Sequence, residues 1–138
     1  MVLKVRKNYV ERVVEFKFGA EGSSTDSTDW VTIADSDIAL DPAKYRGLDG
    51  KLYLRFIAHI KNDLNTGTTY IRIYRQNAAS TVDGTELSNA GDWAIVDSGW
   101  IDWSTESGYE SYQIQLKTTT NGTAYYNSAI MILSPSTF

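Results

Sequence analysis

The sequence contains no cysteine, a single histidine and only two prolines in 138 residues. Without cysteine the chain cannot form disulfides, thiolate zinc sites, redox pairs or a cysteine nucleophile. The lone His59 excludes histidine-rich metal sites, and no Gly-x-Ser-x-Gly motif supports a Ser-His-Asp triad around it. Glycine-rich phosphate-binding loops are also missing. We therefore expect a protein without enzymatic activity.

Long apolar runs are missing as well. No stretch reaches the roughly 18 apolar residues of a membrane span, and the basic amino terminus is not followed by the apolar segment of a secretory signal. We expect no membrane partner, and synthesis in the host cytoplasm without a signal peptide. Hydrophobic residues make up 42% of the chain and aromatic residues 12%, which excludes intrinsic disorder. The length suits one domain.

Apolar residues recur at every second position, which is typical of strands with one buried face. The clearest run, residues 51–61, places Leu52, Leu54, Phe56, Ala58 and Ile60 on one side. Similar alternation occurs in residues 69–75, 111–117 and 123–133. Weaker alternation extends from Val14 to Phe18 and from Trp30 to Leu40, and residues 93–103 form two short strands or one strand bent at Gly99.

Turn signals separate these strands. Asn65-Thr66-Gly67 predicts a central hairpin between the strands at 51–61 and 69–75, and Asn121-Gly122 predicts a second tight turn before the last strand. Asp41 and Pro42 predict the cap and first position of a single helical turn. About eight strands with such spacing predict an all-β sandwich or barrel. Residues 1–9 are poorly patterned and predict an N-terminal arm before a single domain over 10–138.

Four segments resemble a known fold family: LYLRFIA at 52–58, GTTYIRIY at 67–74, YESYQIQLK at 109–117 and GTAY at 122–125. They are similar to strands of jelly-roll domains, both the carbohydrate-binding-module-like type and jelly-roll proteins of phage and virus particles, including capsid decoration proteins. The resemblance implies an antiparallel β-sandwich of jelly-roll topology. It further implies a place on the virion surface, with capsid or other virion proteins as partners.

Charge is arranged in blocks along the chain. Residues 1–17 have a net charge of +3, residues 18–50 of −5, residues 51–76 of +4 and residues 77–138 of −6. The alternation places several basic and aromatic side chains of the third block away from the core, and these predict a binding or interface face: Tyr53, Arg55, His59, Tyr70, Arg72 and Tyr74. The alternative is an ordinary solvated sheet face. A pI near 4.9 excludes nucleic acid as a favoured partner. The charge blocks of opposite sign instead predict that a positive face of one copy pairs with a negative face of the next, in an association that weakens at high salt.

The tryptophans leave two interpretations open. The chain has four tryptophans, Trp30, Trp93, Trp100 and Trp103. With polar neighbours they predict a platform that stacks on sugar rings, for which Trp93, Trp100 and Trp103 are the candidates, or else they fill the core, a sheet edge or an interface. Trp100 and Trp103 are an odd number of positions apart, so at most one of them can belong to a platform while the other is buried.

Aspartates cluster early in the chain. Asp35, Asp37 and Asp41, with Asp26 and Asp29 upstream, could supply oxygen ligands to calcium, although turns and helix caps explain them equally well. We otherwise expect no cofactor and no metal site.

The interpretation that joins these observations is a non-enzymatic structural protein of a phage or virus particle, either a capsid decoration or a capsid-associated protein, that assembles as a homo-oligomer. The first alternative is a carbohydrate-binding module or a receptor-binding head that uses an exposed aromatic face. The second is an extracellular filament or adhesin subunit.

Overall fold

The computed structural model describes residues 12–64 and 66–137. The predicted N-terminal arm, residues 1–9, lies outside the described residues. Eleven strands and one 3-10 helix follow in chain order: β1 (Val14–Lys17), β2 (Ser24–Thr25), β3 (Val31–Thr32), β4 (Ile38–Leu40), the helix (Pro42–Tyr45), β5 (Tyr53–Asn62), β6 (Thr68–Arg75), β7 (Ser80–Thr81), β8 (Leu87–Ala90), β9 (Ala94–Asp102), β10 (Glu110–Thr118) and β11 (Ala124–Ser134).

The strands form two antiparallel sheets that pack face to face. Sheet A has the order β1-β11-β5-β9, with β2 also paired to β11. Sheet B has the order β3-β10-β6-β7, with β4 also on β10 and β8 on β6. The predicted all-β antiparallel sandwich is confirmed. The described residues contain eleven strands rather than about eight, because β2, β3 and β7 are two-residue pairings that leave little alternation in the sequence.

The core lies between the sheets and follows the predicted alternation. On β5, residues 54, 56, 58 and 60 are buried while the residues between them are partly exposed. Ile71 and Ile73 of sheet B face them from β6, and Ile114 and Leu116 face them from β10. Burial of such side chains stabilises each by about 1.5–3 kcal/mol. The helical turn also forms as predicted, since the Asp41 carboxylate accepts a hydrogen bond from Ala43 N at 3.0 Å.

Neither predicted turn closes a hairpin. The chain turns between Leu64 and Gly67 and passes from β5 in sheet A to β6 in sheet B. At Asn121, whose φ is 66°, it passes back from β10 in sheet B to β11 in sheet A. The central hairpin was therefore wrong: β5 pairs with β11 and β9, and β6 pairs with β10 and β8. Tight turns have the same sequence signal whether they join paired strands or connect two sheets.

A buried amide joins the two sheets at these turns. Asn62 of β5 donates from Nδ2 to Thr69 Oγ1 at 3.1 Å and to Thr118 Oγ1 at 2.7 Å, both in sheet B. Its Oδ1 accepts from Leu64 N at 3.0 Å. Gly67 lies so close that a Cβ there would collide with Asn62 Oδ1, which explains the glycine. All hydrogen-bonding groups of this buried side chain except one acceptor site are satisfied.

Candidate functional site

The predicted binding face is divided between two surfaces. Tyr53, Arg55 and His59 point outward from β5 of sheet A, whereas Tyr70, Arg72 and Tyr74 point outward from β6 of sheet B. The sheets pack through their inner faces, so the two sets lie on opposite sides of the sandwich. The prediction that they share one face was wrong, because it depended on a hairpin that does not form.

Strand register gives the layout of the outer face of sheet A. Ile130 of β11, Ile57 of β5 and Asp97 of β9 form one row across the sheet. In the next row Ser128, His59 and Ile95 lie side by side. Because antiparallel partners point to the same side, aliphatic groups of three adjacent strands meet on this surface.

Three of these residues form what we call the isoleucine patch: Ile57, Ile95 and Ile130. Together with Ala58, His59 and Ser128 they line a shallow groove of about 180 Å³. Ile95 is 72% exposed, which is a high value for a large aliphatic side chain within a strand. It belongs to β9, which is an edge strand of sheet A among the described strands. An exposed aliphatic groove beside an unpaired strand edge is typical of an interaction surface.

Charged and aromatic side chains border the isoleucine patch. Arg55 Nε donates to Asp97 Oδ1 at 2.9 Å, and the guanidinium lies 5.7 Å from the Trp100 ring centroid. The hydrogen bond to Asp97 raises the pKa of Arg55. The same hydrogen bond lowers the pKa of Asp97, assisted by the Gly99 backbone and opposed by burial. Asn127 Nδ2 lies 3.2 Å from Nδ1 of His59, and the described residues place no acid in hydrogen-bond contact with this histidine.

The three tryptophans predicted to stack on sugars have different surroundings. Trp103 is only 5% exposed and packs edge-on against Tyr112, with centroids 5.3 Å apart, so its assignment to sugar stacking was wrong. The parity argument that one of Trp100 and Trp103 is buried is confirmed. The Arg55 guanidinium lies over the Trp100 ring. The Trp93 ring packs against the His59 ring, with centroids 4.8 Å apart, and its centroid lies 5.4 Å from Lys61 Nζ.

Sheet B presents a different outer face. Arg72 lies beside Gln115, Tyr70 beside Lys117 and Tyr74 beside Gln113, as the pairing of β6 with β10 requires. Trp30, which directly precedes β3, lies across this surface. Its ring centroid is 4.1 Å from the Arg72 guanidinium carbon and 4.8 Å from Lys117 Nζ. Cations at such distances from an indole are attracted to its π face.

Two tyrosines extend this arrangement. Arg72 lies 5.9 Å from the Tyr74 ring and Lys117 lies 5.2 Å from the Tyr70 ring. Aromatic and cationic side chains thus alternate in a series that we call the cation–aromatic ladder, in the order Tyr74, Arg72, Trp30, Lys117 and Tyr70. Burial lowers the pKa of Arg72, while Glu86 and Tyr74 act in the opposite direction. An arginine nevertheless stays protonated near neutral pH.

The basic block of the sequence is partly neutralised within the chain. Arg75 pairs with Glu106 through two hydrogen bonds of 3.0 and 2.7 Å, and Arg55 pairs with Asp97. Burial lowers the pKa of Arg75, but contacts with Glu106 outweigh this effect and leave the pKa raised. The described residues give Arg72 and Lys117 no carboxylate partner within salt-bridge distance. These two cations are therefore the ones that remain available on sheet B.

Two of the early aspartates, Asp37 and Asp41, accept hydrogen bonds within the protein. Asp41 accepts hydrogen bonds from Ala43 N and Gly108 N, and Asp37 accepts one from Ser111 Oγ at 2.9 Å. Within residues 12–64 and 66–137 there is no group of three histidine or acidic side chains placed to hold a metal ion. In the same part of the chain, no helix is long and apolar enough to cross a membrane.

No protein-family model matches the sequence, and no curated protein is significantly similar to it. Solved structures are similar in fold. The VP2 protein of infectious bursal disease virus, from a mutant that forms T=1 particles, superimposes with a TM-score of 0.56 at 9% identity over 92% of this chain. A VP2 subviral particle of the same virus gives 0.56 at 9% identity over 89%. The fold is a jelly roll. This chain spans about a third, 32%, of each VP2 chain.

A xylan-binding module covers 90% of this chain and 97% of its own length, at 12% identity and a TM-score of 0.48. That similarity is too low to carry an argument about architecture or ligand. The similarity to VP2 establishes the fold, and the surfaces of the sandwich provide the evidence on function.

The sequence did not indicate which neighbours Trp30, Lys117 and Ile95 have on these surfaces. Trp30 follows a Ser/Thr/Asp-rich loop without periodicity, so its position across Arg72 and Lys117 had no local signal. The alternation in residues 111–117 placed Lys117 outward, but did not identify β6 as the neighbouring strand. Ile95 belongs to a strand whose bend at Gly99 obscured which side is buried; that bend is confirmed by a register shift and a φ of 69°.

Proposed function

We propose that this chain is a non-enzymatic structural protein of a phage or virus particle that assembles as a homo-oligomer through the outer face of sheet A. The main support is the exposed isoleucine patch at the edge of sheet A, on a fold that superimposes over about nine-tenths of its length on the VP2 protein found in viral particles. A β-sandwich offers flat faces and strand edges, and symmetric assembly repeats one modest interface many times. Capsid or other virion proteins are the expected partners, and the virion surface is the expected location.

The isoleucine patch supports self-association at a particular place. Ile57 and Ile130 are direct cross-strand partners, and Ile95 adds a third branched side chain along the same groove. Burying each of these side chains fully in an interface is worth about 1.5–3 kcal/mol. A two-fold axis beside β9 brings two copies of the isoleucine patch together and places two strand edges next to each other.

The internal ion pairs change the expected salt dependence. Pairing between oppositely charged blocks predicted association that weakens at high salt. Arg55 and Arg75 are already paired with Asp97 and Glu106, so those charges contribute less to contacts between copies. An interface centred on isoleucines is driven by apolar burial, and we expect it to persist at high salt.

Light scattering after size-exclusion chromatography tests the oligomer. We expect the wild-type protein to form a homo-oligomer at micromolar concentration, and Ile95→Asp to shift it to the monomer because a carboxylate would be buried in the apolar contact. Leu48→Asp is the matched control: Leu48 is also exposed, at 57%, but lies in a turn away from the isoleucine patch, and it should leave the mass unchanged.

Two results would contradict the proposal. One is a wild-type protein that stays monomeric at every concentration, and the other is an Ile95→Asp variant that keeps the wild-type mass. The assignment to a particle has its own test, which is peptide mass spectrometry of nuclease-resistant particles purified from cultures that carry the coding sequence. A protein found only in the cellular fraction would contradict that assignment.

A further inference from the structure

The cation–aromatic ladder is held in place by neighbouring polar groups. Arg72 Nε donates to Gln115 Oε1 at 2.7 Å, and Gln115 Nε2 donates in turn to Thr32 Oγ1 at 3.0 Å. This hydrogen bond fixes the guanidinium through its inner nitrogen. Its two terminal nitrogens make no hydrogen bond to the described residues. Those nitrogens form the fork that matches a carboxylate in bidentate geometry.

A second cation lies close to the first. Lys117 Nζ and the Arg72 guanidinium carbon are 4.8 and 4.1 Å from the same Trp30 ring centroid. Both lack a carboxylate partner among the described residues, although the chain has a net charge of −4. Arg55 and Arg75, by contrast, each have an acidic partner. Two cations that stay unpaired on an acidic protein favour an anionic ligand at this position.

The surroundings indicate which kind of anion fits. Tyr74 and Tyr70 stand at the two ends of the ladder and offer aromatic surface next to the charges. The amide of Gln113 on β10 supplies further donors and acceptors, whereas Gln115 is buried and its amide is already bonded to Arg72 and Thr32. Apolar rings with a few fixed polar groups are typical of small-ligand sites. Two cations are too few for a nucleic acid backbone on a chain with a pI near 4.9.

We propose that the cation–aromatic ladder of sheet B binds a sugar that carries a carboxylate. The carboxylate pairs with Arg72 and Lys117, a pyranose face packs on Tyr70 or Tyr74, and hydroxyl groups bond to the Gln113 amide. The site lies on the opposite side of the sandwich from the isoleucine patch. It therefore does not depend on self-association or on the assignment to a particle.

The test uses two matched pairs of probes in isothermal titration calorimetry. 3′-Sialyllactose is compared with its methyl ester, and trigalacturonate with its fully methyl-esterified form, so that each pair differs only in whether its carboxylates are free or esterified. We expect at least one carboxylated probe to bind, and its neutral counterpart to bind about tenfold more weakly or not at all. Arg72→Gln and Lys117→Gln should each weaken the carboxylated probe about tenfold, because each removes one charge–charge contact.

The control variants are Arg55→Gln and Lys61→Gln, which remove the corresponding charges from sheet A and should leave the affinity within about twofold of wild type. Thermal unfolding of all four variants checks that they are folded. The proposal is overturned if neither carboxylated probe binds, or if each neutral probe binds as tightly as its partner. It is also overturned if the sheet B variants bind the carboxylated probe as tightly as the wild type does. If those variants instead lose self-association while their sugar binding is unchanged, a second copy of the chain occupies the ladder, and this result also contradicts the proposal.

Discussion

Removing the Asn62 amide should destabilise the protein strongly, because this one side chain connects both sheets. It donates two hydrogen bonds to sheet B and accepts one from Leu64 N, and it is 3% exposed. Each such bond contributes about 1 kcal/mol net, so Asn62→Ala should lower the free energy of unfolding by about 3 kcal/mol. Domains have a total of about 5–15 kcal/mol, so the variant should still fold.

Urea unfolding followed by tryptophan fluorescence measures this effect, provided that the m-value stays constant. Asn127→Ala is the matched control, because Asn127 is exposed and, among the described residues, its side chain hydrogen-bonds to His59 alone; it should cost less than about 0.5 kcal/mol. Asn62→Asp should cost at least as much as Asn62→Ala at neutral pH, since the hydroxyls of Thr69 and Thr118 already donate to Lys61 O and Thr119 O. An Asn62→Ala variant as stable as the wild type would refute the role assigned to this amide.

Two further predictions concern single buried groups. The Glu110 carboxylate is 7% exposed; burial acts to raise its pKa, but hydrogen bonds from the backbone N–H groups of Asn77, Ala78 and Ser111 outweigh this and leave the pKa below 4.5. The charged Glu110 side chain therefore stabilises the fold above the usual glutamate pKa range, and this stabilisation is lost as the pH falls through the lowered pKa. Glu110→Gln should lower the free energy of unfolding by about 1–2 kcal/mol at neutral pH and by little in acid, measured as urea midpoints at the two pH values. An equal cost at both pH values would contradict the prediction. The buried Trp103 indole N–H has no hydrogen-bond partner among the described residues. In thermal unfolding, Trp103→Phe should therefore cost less than about 1.5 kcal/mol, well below the ~3–5 kcal/mol of Trp103→Ala. A phenylalanine variant as unstable as the alanine variant would argue against an unsatisfied donor.

The alternation along β5 allowed the inner and outer sides of this strand to be assigned from sequence. A strand with one buried face must alternate, and Leu54, Phe56 and Ile60 carry that pattern without dependence on distant residues. The helical turn at Pro42 was also predictable, because Asp41 and the proline act within a few positions of each other.

Strand pairing was not predictable in the same way. The sequence between β5 and β6 has the composition of a hairpin turn, yet their partners are β11, β9, β10 and β8, which come later in the chain. Where the connection crosses between sheets, the Asn62 side chain bonds to Thr69 and Thr118 on the opposite sheet, and these residues are 7 and 56 positions away.

The predicted binding face was wrong because it depended on the predicted pairing of β5 with β6. Arg55 and Arg72 were both correctly placed on outer sides, but assigning them to one surface required the hairpin. Trp30 reaches Arg72 and Lys117 through β3 pairing with β10, a contact between residues more than 80 positions apart. No local sequence pattern predicts a contact between residues so far apart in the chain.

The central claim, that the outer face of sheet A is the surface of self-association, is tested most directly by methyl NMR of isoleucine-labelled protein at increasing concentration. Ile57, Ile95 and Ile130 line the exposed groove, whereas Ile71 and Ile73 are fully buried in the core of the same molecule and serve as internal references. The account predicts that the δ1-methyl resonances of the first three residues shift or broaden as copies associate, while those of the two references stay constant. Resonances of the isoleucine patch that do not change over a range in which the protein associates would contradict it.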